Sequence, residues 1–411
     1  MKLRAARWVG AFLVVAVLGF VSGLYVDQAF PGSQYCWSAG GPCIGVPYLA
    51  HHSVGNVDTT ELQQAIQVIQ ANYVDPNLDA NKLAHGTVQG LIASLNDPFS
   101  AYYDPAQFKK LQDSLQGQYS GVGIYLTFTA TGYPVIAGTL PDSPAAKAGL
   151  QAGDQIVKVG DMDMKGATAD QATAAIQGPN GTQVTFTIAR GVTTLTVTIT
   201  RAEIHVASVR SQVIGLGVLY VRIYQFGATT GKEFADALSA GLRGAKGVVL
   251  DLRGDPGGYI TAADDVISQF VTSGETFELR DRDNNVERHD ATGNPLAPSV
   301  PLVVLVDGNS ASASEIVSGS LQVHKRAKLI GVTTFGKGSV QLDFPLHDGS
   351  DLHLTIKRWY LPNGVTIDHK GLTPDIVVTL PSPDDMFDVA DPSAGYAKDT
   401  QLNAALKALA A

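Results

Sequence analysis

Between Gly247 and Val332 the chain carries three short apolar runs, each closed by turn residues. Gly247-Val-Val-Leu-Asp-Leu-Arg253 stops at Gly254-Asp-Pro-Gly-Gly258, and Pro301-Leu-Val-Val-Leu-Val306 stops at Asp307-Gly308-Asn309. Ala327-Lys-Leu-Ile-Gly-Val332 leads into Thr334-Phe-Gly-Lys337-Gly-Ser-Val-Gln341. Runs this short and this apolar predict strands buried on both faces. Helical spacing lies between them. Phe234, Leu238 and Leu242 share a face over Thr229–Arg243, a second helix covers Ile260–Phe270, and Ile316, Val317, Ser320 and Leu321 mark a third from Ser314 to Lys325. With strands at Ile214–Arg222 and Leu352–Tyr360, residues 202–381 read as an α/β domain.

Upstream the period changes. Strands alternating at two residues are predicted at Gly123–Phe128, Tyr133–Leu140, Gln155–Val159, Gln183–Arg190 and Thr193–Arg201, with one helix at Thr168–Gln177. Residues 117–201 therefore read as a β-rich domain. Residues 58–116 read as helical: Thr59 or Thr60 to Asn72 with Leu62, Ala65, Ile66 and Ile69 on one face, then Asp79–Leu95, then a short helix from Pro105 to Leu115. Residues 382–411 form a tail. Pro381–Asp399 is polar and reads as a linker, and Leu402, Leu406 and Leu409 give a stripe that packs on the core or, in a homo-oligomer, on a second subunit.

The amino end changes the picture further. Lys2, Arg4 and Arg7 precede an uncharged run from Trp8 to Val26, which as a helix spans roughly 28 Å, about the hydrocarbon thickness. Residues 1–27 are expected to form a single-pass anchor, basic end inside, with the rest of the chain extracytoplasmic; a cleavable signal peptide is the rival. A Gly-, Pro- and Ser-rich stalk, residues 28–57, holds the two cysteines, Cys36 and Cys43, which an oxidising compartment would let pair. The formal net charge of −9 and the lack of a basic block argue against nucleic acid. The nine histidines are scattered and no metal-ligand spacing occurs, so neither metal nor organic cofactor is expected.

The candidate chemistry sits at Ser310-Ala-Ser312-Ala-Ser314-Glu315. Ser312 to Glu315 fits a capping box. A serine at a helix start also receives the partial positive charge of the helix end, and a buried lysine can act as its base. Asn309-Ser-Ala-Ser-Ala-Ser-Glu-Ile316 with Gly331-Val-Thr-Thr-Phe-Gly-Lys-Gly-Ser-Val-Gln341 resembles the active-site signature of the carboxy-terminal processing peptidases, also called tail-specific serine proteases. The resemblance implies a nucleophile at Ser312, a base at Lys337 and a supporting Gln341. It implies an oxyanion hole from Ala313 with Gly257 or Gly258, in a segment where Asp255 replaces the family's usual Asn. It also implies a core related to the Clp protease and crotonase groups.

Ser143-Pro-Ala-Ala-Lys-Ala-Gly-Leu-Gln-Ala-Gly-Asp154 resembles a PDZ domain of the protease-associated kind. Gly121, Val122, Gly123 and Ile124 would then hold a peptide's terminal carboxylate, with Ala172 and Ile176 of the helix beside the tail. Arg201, at the junction, is a candidate coupling residue. The turn Asn96-Asp-Pro-Phe-Ser-Ala-Tyr-Tyr103 also resembles the family but is read as packing. Phe335 is expected to bury Lys337. The expected function is an extracytoplasmic serine endopeptidase acting near the C-termini of protein or peptide substrates. A Ser-His-Asp protease is disfavoured because no G-x-S-G-G occurs. A catalytically dead PDZ scaffold is disfavoured because Ser312 and Lys337 are both present.

Overall fold

In a computed structural model the described residues are 34–36, 43–45, 57–75, 77–128, 132–140, 142–389 and 395–410. The expected anchor lies outside them, and no described helix is long and apolar enough to cross a membrane. The chain divides into two compact units, Met1–Leu91 and Ile92–Ala411.

In the first unit, β1 (Gln34–Cys36) pairs antiparallel with β2 (Cys43–Gly45), which sets Cys36 opposite Cys43. Their side chains, and so the expected disulfide, lie outside the description. Helix α1 (Thr60–Asn72) buries none of its residues, so its predicted apolar face has no cover among the described residues. Helix α2 (Ala80–Ala93) follows.

The second unit opens with β3 (Ala101–Tyr103) and α3 (Pro105–Leu115). Asp104 caps α3 by a complete capping box with Gln107. The β-rich domain then follows as β4 (Gln118–Gly121), β5 (Ile124–Phe128), β6 (Pro134–Thr139), α4 (Pro144–Lys147), β7 (Gln155–Val159), β8 (Met162–Asp163), α5 (Ala169–Ile176), β9 (Gln183–Arg190), β10 (Thr193–Thr200) and β11 (Ala202–His205). Its sheet runs β10-β9-β7-β6-β5, leaving β5 at an edge, while β4 pairs with β11. Ile136, Ile156, Phe186 and Ile188 alternate inward to make its core, as the two-residue period predicts.

The α/β domain comprises β12 (Val209–Ile214), β13 (Val218–Ile223), α6 (Thr230–Gly241), β14 (Gly247–Asp251), α7 (Ile260–Ile267), β15 (Glu275–Asp281), β16 (Val286–Asp290), β17 (Leu302–Val306), α8 (Ala313–Val323), β18 (Lys328–Gly331), β19 (Ser339–Pro345), β20 (Asp351–Tyr360), β21 (Ile376–Val377) and α9 (Thr400–Ala410). Its main sheet runs β12-β13-β14-β17-β18-β21 and is parallel from β13 onward. Alternate residues of each strand serve two cores. Leu219, Val248, Leu250, Val304 and Val306 pack under α6, α7 and α8. Tyr220, Val249, Val303 and Leu305 pack under α9. Burial on both faces is why these strands read as unbroken apolar runs.

One expectation is corrected here. The segment read as a linker is built into the core: Phe387 is buried against Tyr220, and Asp399 is buried with its carboxylate on the Arg253 guanidinium at 2.8 Å. Leu402 of α9 is buried on this chain's own sheet, so its stripe packs on the core. The second sheet, β16-β15-β20-β19 with β3 on β20, includes four strands, β3, β15, β16 and β19, that the apolar pattern did not announce.

Candidate active site

The strand β17 ends at Val306, the chain turns through Asp307–Ala311, and α8 begins at Ala313. Ser312 stands at the bend with φ 56° and ψ −117°, a backbone conformation costly for a residue with a Cβ. Only half of the expected capping box forms. Ser312 N–H donates to Glu315 Oε2 at 3.0 Å, but Glu315 N–H donates to the Ser312 main-chain carbonyl at 2.8 Å and not to the hydroxyl. Ser312 Oγ is thereby left without a hydrogen-bond partner among the described residues. Its two neighbours differ: Ser310 Oγ donates to Leu252 O at 2.8 Å, and Ser314 Oγ to Asp255 O at 3.1 Å. Both of those serines are buried.

Glu315, which the sequence offered only as a cap, joins the two motifs. It is fully buried, and its carboxylate accepts from Thr334 Oγ1 at 2.5 Å, Gly336 N at 2.7 Å, Lys337 N at 2.9 Å and Ser312 N at 3.0 Å. Ser312 N and Lys337 N share one oxygen, so the bend and the lysine loop are locked side by side. The loop fits because Gly336 and Gly338 lack side chains: a Cβ at Gly336 would stand 2.7 Å from Gly371 N, and one at Gly338 2.6 Å from the Asp368 Cβ. The buried Trp359 ring donates through Nε1 to Lys337 O at 2.9 Å.

Burial pulls the Lys337 ammonium below its ordinary lysine value, against the opposing charges of Asp97 and Glu315. The cover is Phe99, whose ring centroid lies 5.1 Å from Lys337 Nζ. Phe335, expected in that role, is 55% exposed. The Asp97–Tyr103 turn is thus more than packing. Ser100 Oγ donates to Asp97 Oδ2 at 2.6 Å and accepts from Thr355 N at 3.0 Å, fixing the turn to β20. Lys337 Nζ has no hydrogen-bond partner among the described residues. Gln341 does not reach it, since its amide donates to Ser339 Oγ and Thr355 Oγ1, each at 2.9 Å. Catalytic hydrogen bonds are often loose without substrate. Phe99→Ala should expose the ammonium to water and return its pKa toward the ordinary value, so the pH–rate profile should move to higher pH. An unmoved profile would show that Phe99 does not set the environment of Lys337.

Across from the bend, Gly257 and Gly258 form the turn after β14. A Cβ on Gly257 would stand 2.8 Å from Ser312 Cβ and 2.9 Å from Ala313 N, so only glycine allows this approach. Gly257 N–H is not free, however: it donates to Asp255 Oδ1 at 2.8 Å. The amides of Ala313 and Gly258 have no acceptor among the described residues, which makes Gly258 the better donor of the two glycines. Burial pushes the Asp255 carboxyl well above the usual carboxylate range, toward the neutral form that an Asn side chain would resemble.

In the β-rich domain a shallow groove of about 130 Å³ is lined by Tyr119, Gly121, Val122, Gly123, Ile124, Leu126, Thr173, Ile176 and Gln177. Gly121 and Ile124 belong to strands, opposite Ala202 and Thr139, while the amides of Val122 and Gly123 have no acceptor among the described residues. Ala172 is a correction: it is fully buried in the domain's core, and Thr173 and Gln177 line the groove in its place. Arg201 hydrogen-bonds Ile176 O at 2.8 Å, Ala175 O at 3.4 Å, Thr182 Oγ1 at 2.9 Å and Gln183 O at 3.0 Å. It braces the C-terminal end of α5, and all of these partners lie within the domain.

Residues 217–378 match peptidase family S41, residues 135–190 match a PDZ domain, and residues 49–106 match the N-terminal domain of the activating protease CtpB. The carboxy-terminal-processing protease of Bartonella bacilliformis is 41% identical over 74% of this chain and 72% of its own length. The carboxy-terminal processing protease CtpB of Bacillus subtilis is 34% identical over 78% of this chain and 68% of its own length. A putative S41 protease from Bacteroides fragilis shares the fold, with 21% identity, a TM-score of 0.52, and coverage of 84% of this chain and 96% of that one. Signature, fold and relatives agree: the chain belongs to the carboxy-terminal processing serine proteases of peptidase family S41, with a PDZ domain.

Proposed function

We propose that this protease works by a Ser312–Lys337 dyad and cleaves near the C-termini of substrates selected by its PDZ domain, outside the cytoplasm and tethered by the N-terminal segment. The observation that carries the dyad is the Glu315 carboxylate, which gathers the Ser312, Gly336 and Lys337 amides while Ser312 alone of the three serines keeps an unengaged hydroxyl. Neutral Lys337 takes the Ser312 proton as the hydroxyl attacks the scissile carbonyl, then returns it to the leaving amine. The Ala313 and Gly258 amides stabilise the oxyanion. Because the lysine must be deprotonated, the rate rises with pH through an apparent pKa below that of free lysine. A rate flat from mildly acidic to alkaline pH, with chemistry limiting, would contradict a lysine base. The hydroxyl and the amine must first come into hydrogen-bond contact, so the arrangement described here is a resting one.

Tail recognition rests on the open edge of β5 beside α5, with the free Val122 and Gly123 amides at the closed end. A substrate tail adds as a further strand and places its carboxylate on those amides. The tail can activate only by preferring the active arrangement over the resting one. Amidating a peptide's C-terminus is expected to slow cleavage at a distant bond. Equal cleavage of free-acid and amidated peptides, over concentrations that resolve KM, would remove the case for tail recognition without touching the dyad. Protease protection of the catalytic part in intact cells, before and after outer permeabilisation, tests the compartment.

A further inference from the structure

The hairpin that follows the lysine loop carries a polar cluster that the proteolytic mechanism does not use. Antiparallel register sets Gln341 opposite Thr355, Asp343 opposite His353, and Pro345 opposite Asp351. The side chains of Asp343, Asp351 and His353 therefore share the face that carries Gln341. One ligand atom from each of the three lies within 4.8 Å of the others. His353 Nδ1 and Asp343 Oδ1 are 2.6 Å apart, which accounts for one carboxylate.

Asp351 is unaccounted for. It is fully buried, and neither of its carboxylate oxygens has a hydrogen-bond partner; the Phe344 amide and the Asp343 carboxyl are near it without good donor geometry. Among the described residues no lysine or arginine pairs with Asp343 or Asp351, and the Tyr103 ring, 5.7 Å from that of His353, closes one side. A buried carboxylate without donors is costly.

We propose that Asp343, Asp351 and His353 form a binding site for a divalent transition-metal ion. Two carboxylate oxygens and one imidazole nitrogen suit Zn²⁺ or Mn²⁺, whereas the nitrogen counts against Ca²⁺ and Mg²⁺. Ligands about 2.1 Å from one ion stand at most about 4.2 Å apart, so the cluster closes on a metal with small side-chain rotations. The ion takes the place of the proton or imidazole contact now facing Asp343 and supplies Asp351 with a partner. Because the same two strands hold Gln341 and Thr355 one rung away, a bound ion also clamps the hairpin that leaves Lys337.

The test is calorimetric titration of Zn²⁺ into the chelator-stripped full chain, with Asp351→Asn and His353→Asn alongside. Thermal melting of each variant establishes that it folds. The expected result is one equivalent bound by the parent chain that is lost, or weakened by roughly 100-fold or more, in both variants, with a Zn²⁺-dependent rise in Tm for the parent only. Zn²⁺ that binds equally to parent and variants sits elsewhere, at other histidines or the cysteines, and overturns the proposal. So does a parent chain that binds no Zn²⁺ and no Mn²⁺. Neither outcome depends on whether Ser312 and Lys337 are the catalytic pair.

Discussion

Ser312→Ala and Lys337→Ala are each expected to lower peptide cleavage by about 10⁴-fold or more, and the double variant is expected to be no worse than either single one. The non-additivity follows from the roles: without its base the hydroxyl is a poor nucleophile, and without the hydroxyl the amine has no proton to take. Neither side chain has a hydrogen-bond partner in the resting arrangement, so both variants should melt close to the parent. Ser310→Ala and Ser314→Ala make the contrast. Ser314→Ala removes one buried hydrogen bond to a backbone carbonyl, at a cost of about 1 kcal/mol; Ser310→Ala removes both the bond given to Leu252 O and the bond accepted from Asp307 N, at a larger cost; each should keep cleaving. Kinetics and urea melts on the five variants and the parent give the answer. An inactive, folded Ser314→Ala beside an active Ser312→Ala would reassign the nucleophile.

The second large effect is at Glu315. Its carboxylate is the acceptor for one hydroxyl and three amides from both motifs. Glu315→Ala strips all four of their acceptor inside a fully buried site, a loss on the order of 3–5 kcal/mol, enough to threaten folding. Glu315→Gln preserves shape but presents an amide NH₂ to donors that need an oxygen. It should therefore fold, and the bend should lose its register with the lysine loop. A misplacement of about 1 Å is worth roughly 100-fold in rate, so kcat/KM should fall by about that much, mainly through kcat. Activity of Glu315→Gln within threefold of the parent would show that Glu315 is a helix cap and nothing more.

Much of this was legible in the residues. The strands β14 and β17 are buried on both faces, so their runs are unbroken, and the helices between them carry clear stripes. Taken singly, the serine is an ordinary helix cap and the lysine an ordinary loop charge; they stood out because the two occur together in a long matching signature. What escaped depends on contacts distant in sequence. Strand β15 carries Glu278 and Arg280 paired with each other, which gives a buried strand a polar look. Strand β19 alternates Val340, Leu342 and Phe344, but its start, Ser339 to Gln341, is also the end of the loop motif, which hides it. Asp399 looked like linker because nothing local reveals that Arg253, 146 residues away, needs its carboxylate. Phe99 covers the lysine from another element, while Phe335, two residues from it, is mostly exposed and meets only the edge of the Phe99 ring. A lysine's neighbours in sequence say little about its neighbours in space.

The pairing of Ser312 with Lys337 is tested most directly by mapping where an active-site probe lands. The full chain is labelled with a fluorophosphonate, digested and mapped by mass spectrometry, in parallel with Lys337→Ala. The account predicts a single phosphonylated residue, Ser312, in the parent, and no label above background in Lys337→Ala. Label on Ser310, on Ser314 or on any residue outside the bend, in a preparation that cleaves peptide, would contradict it.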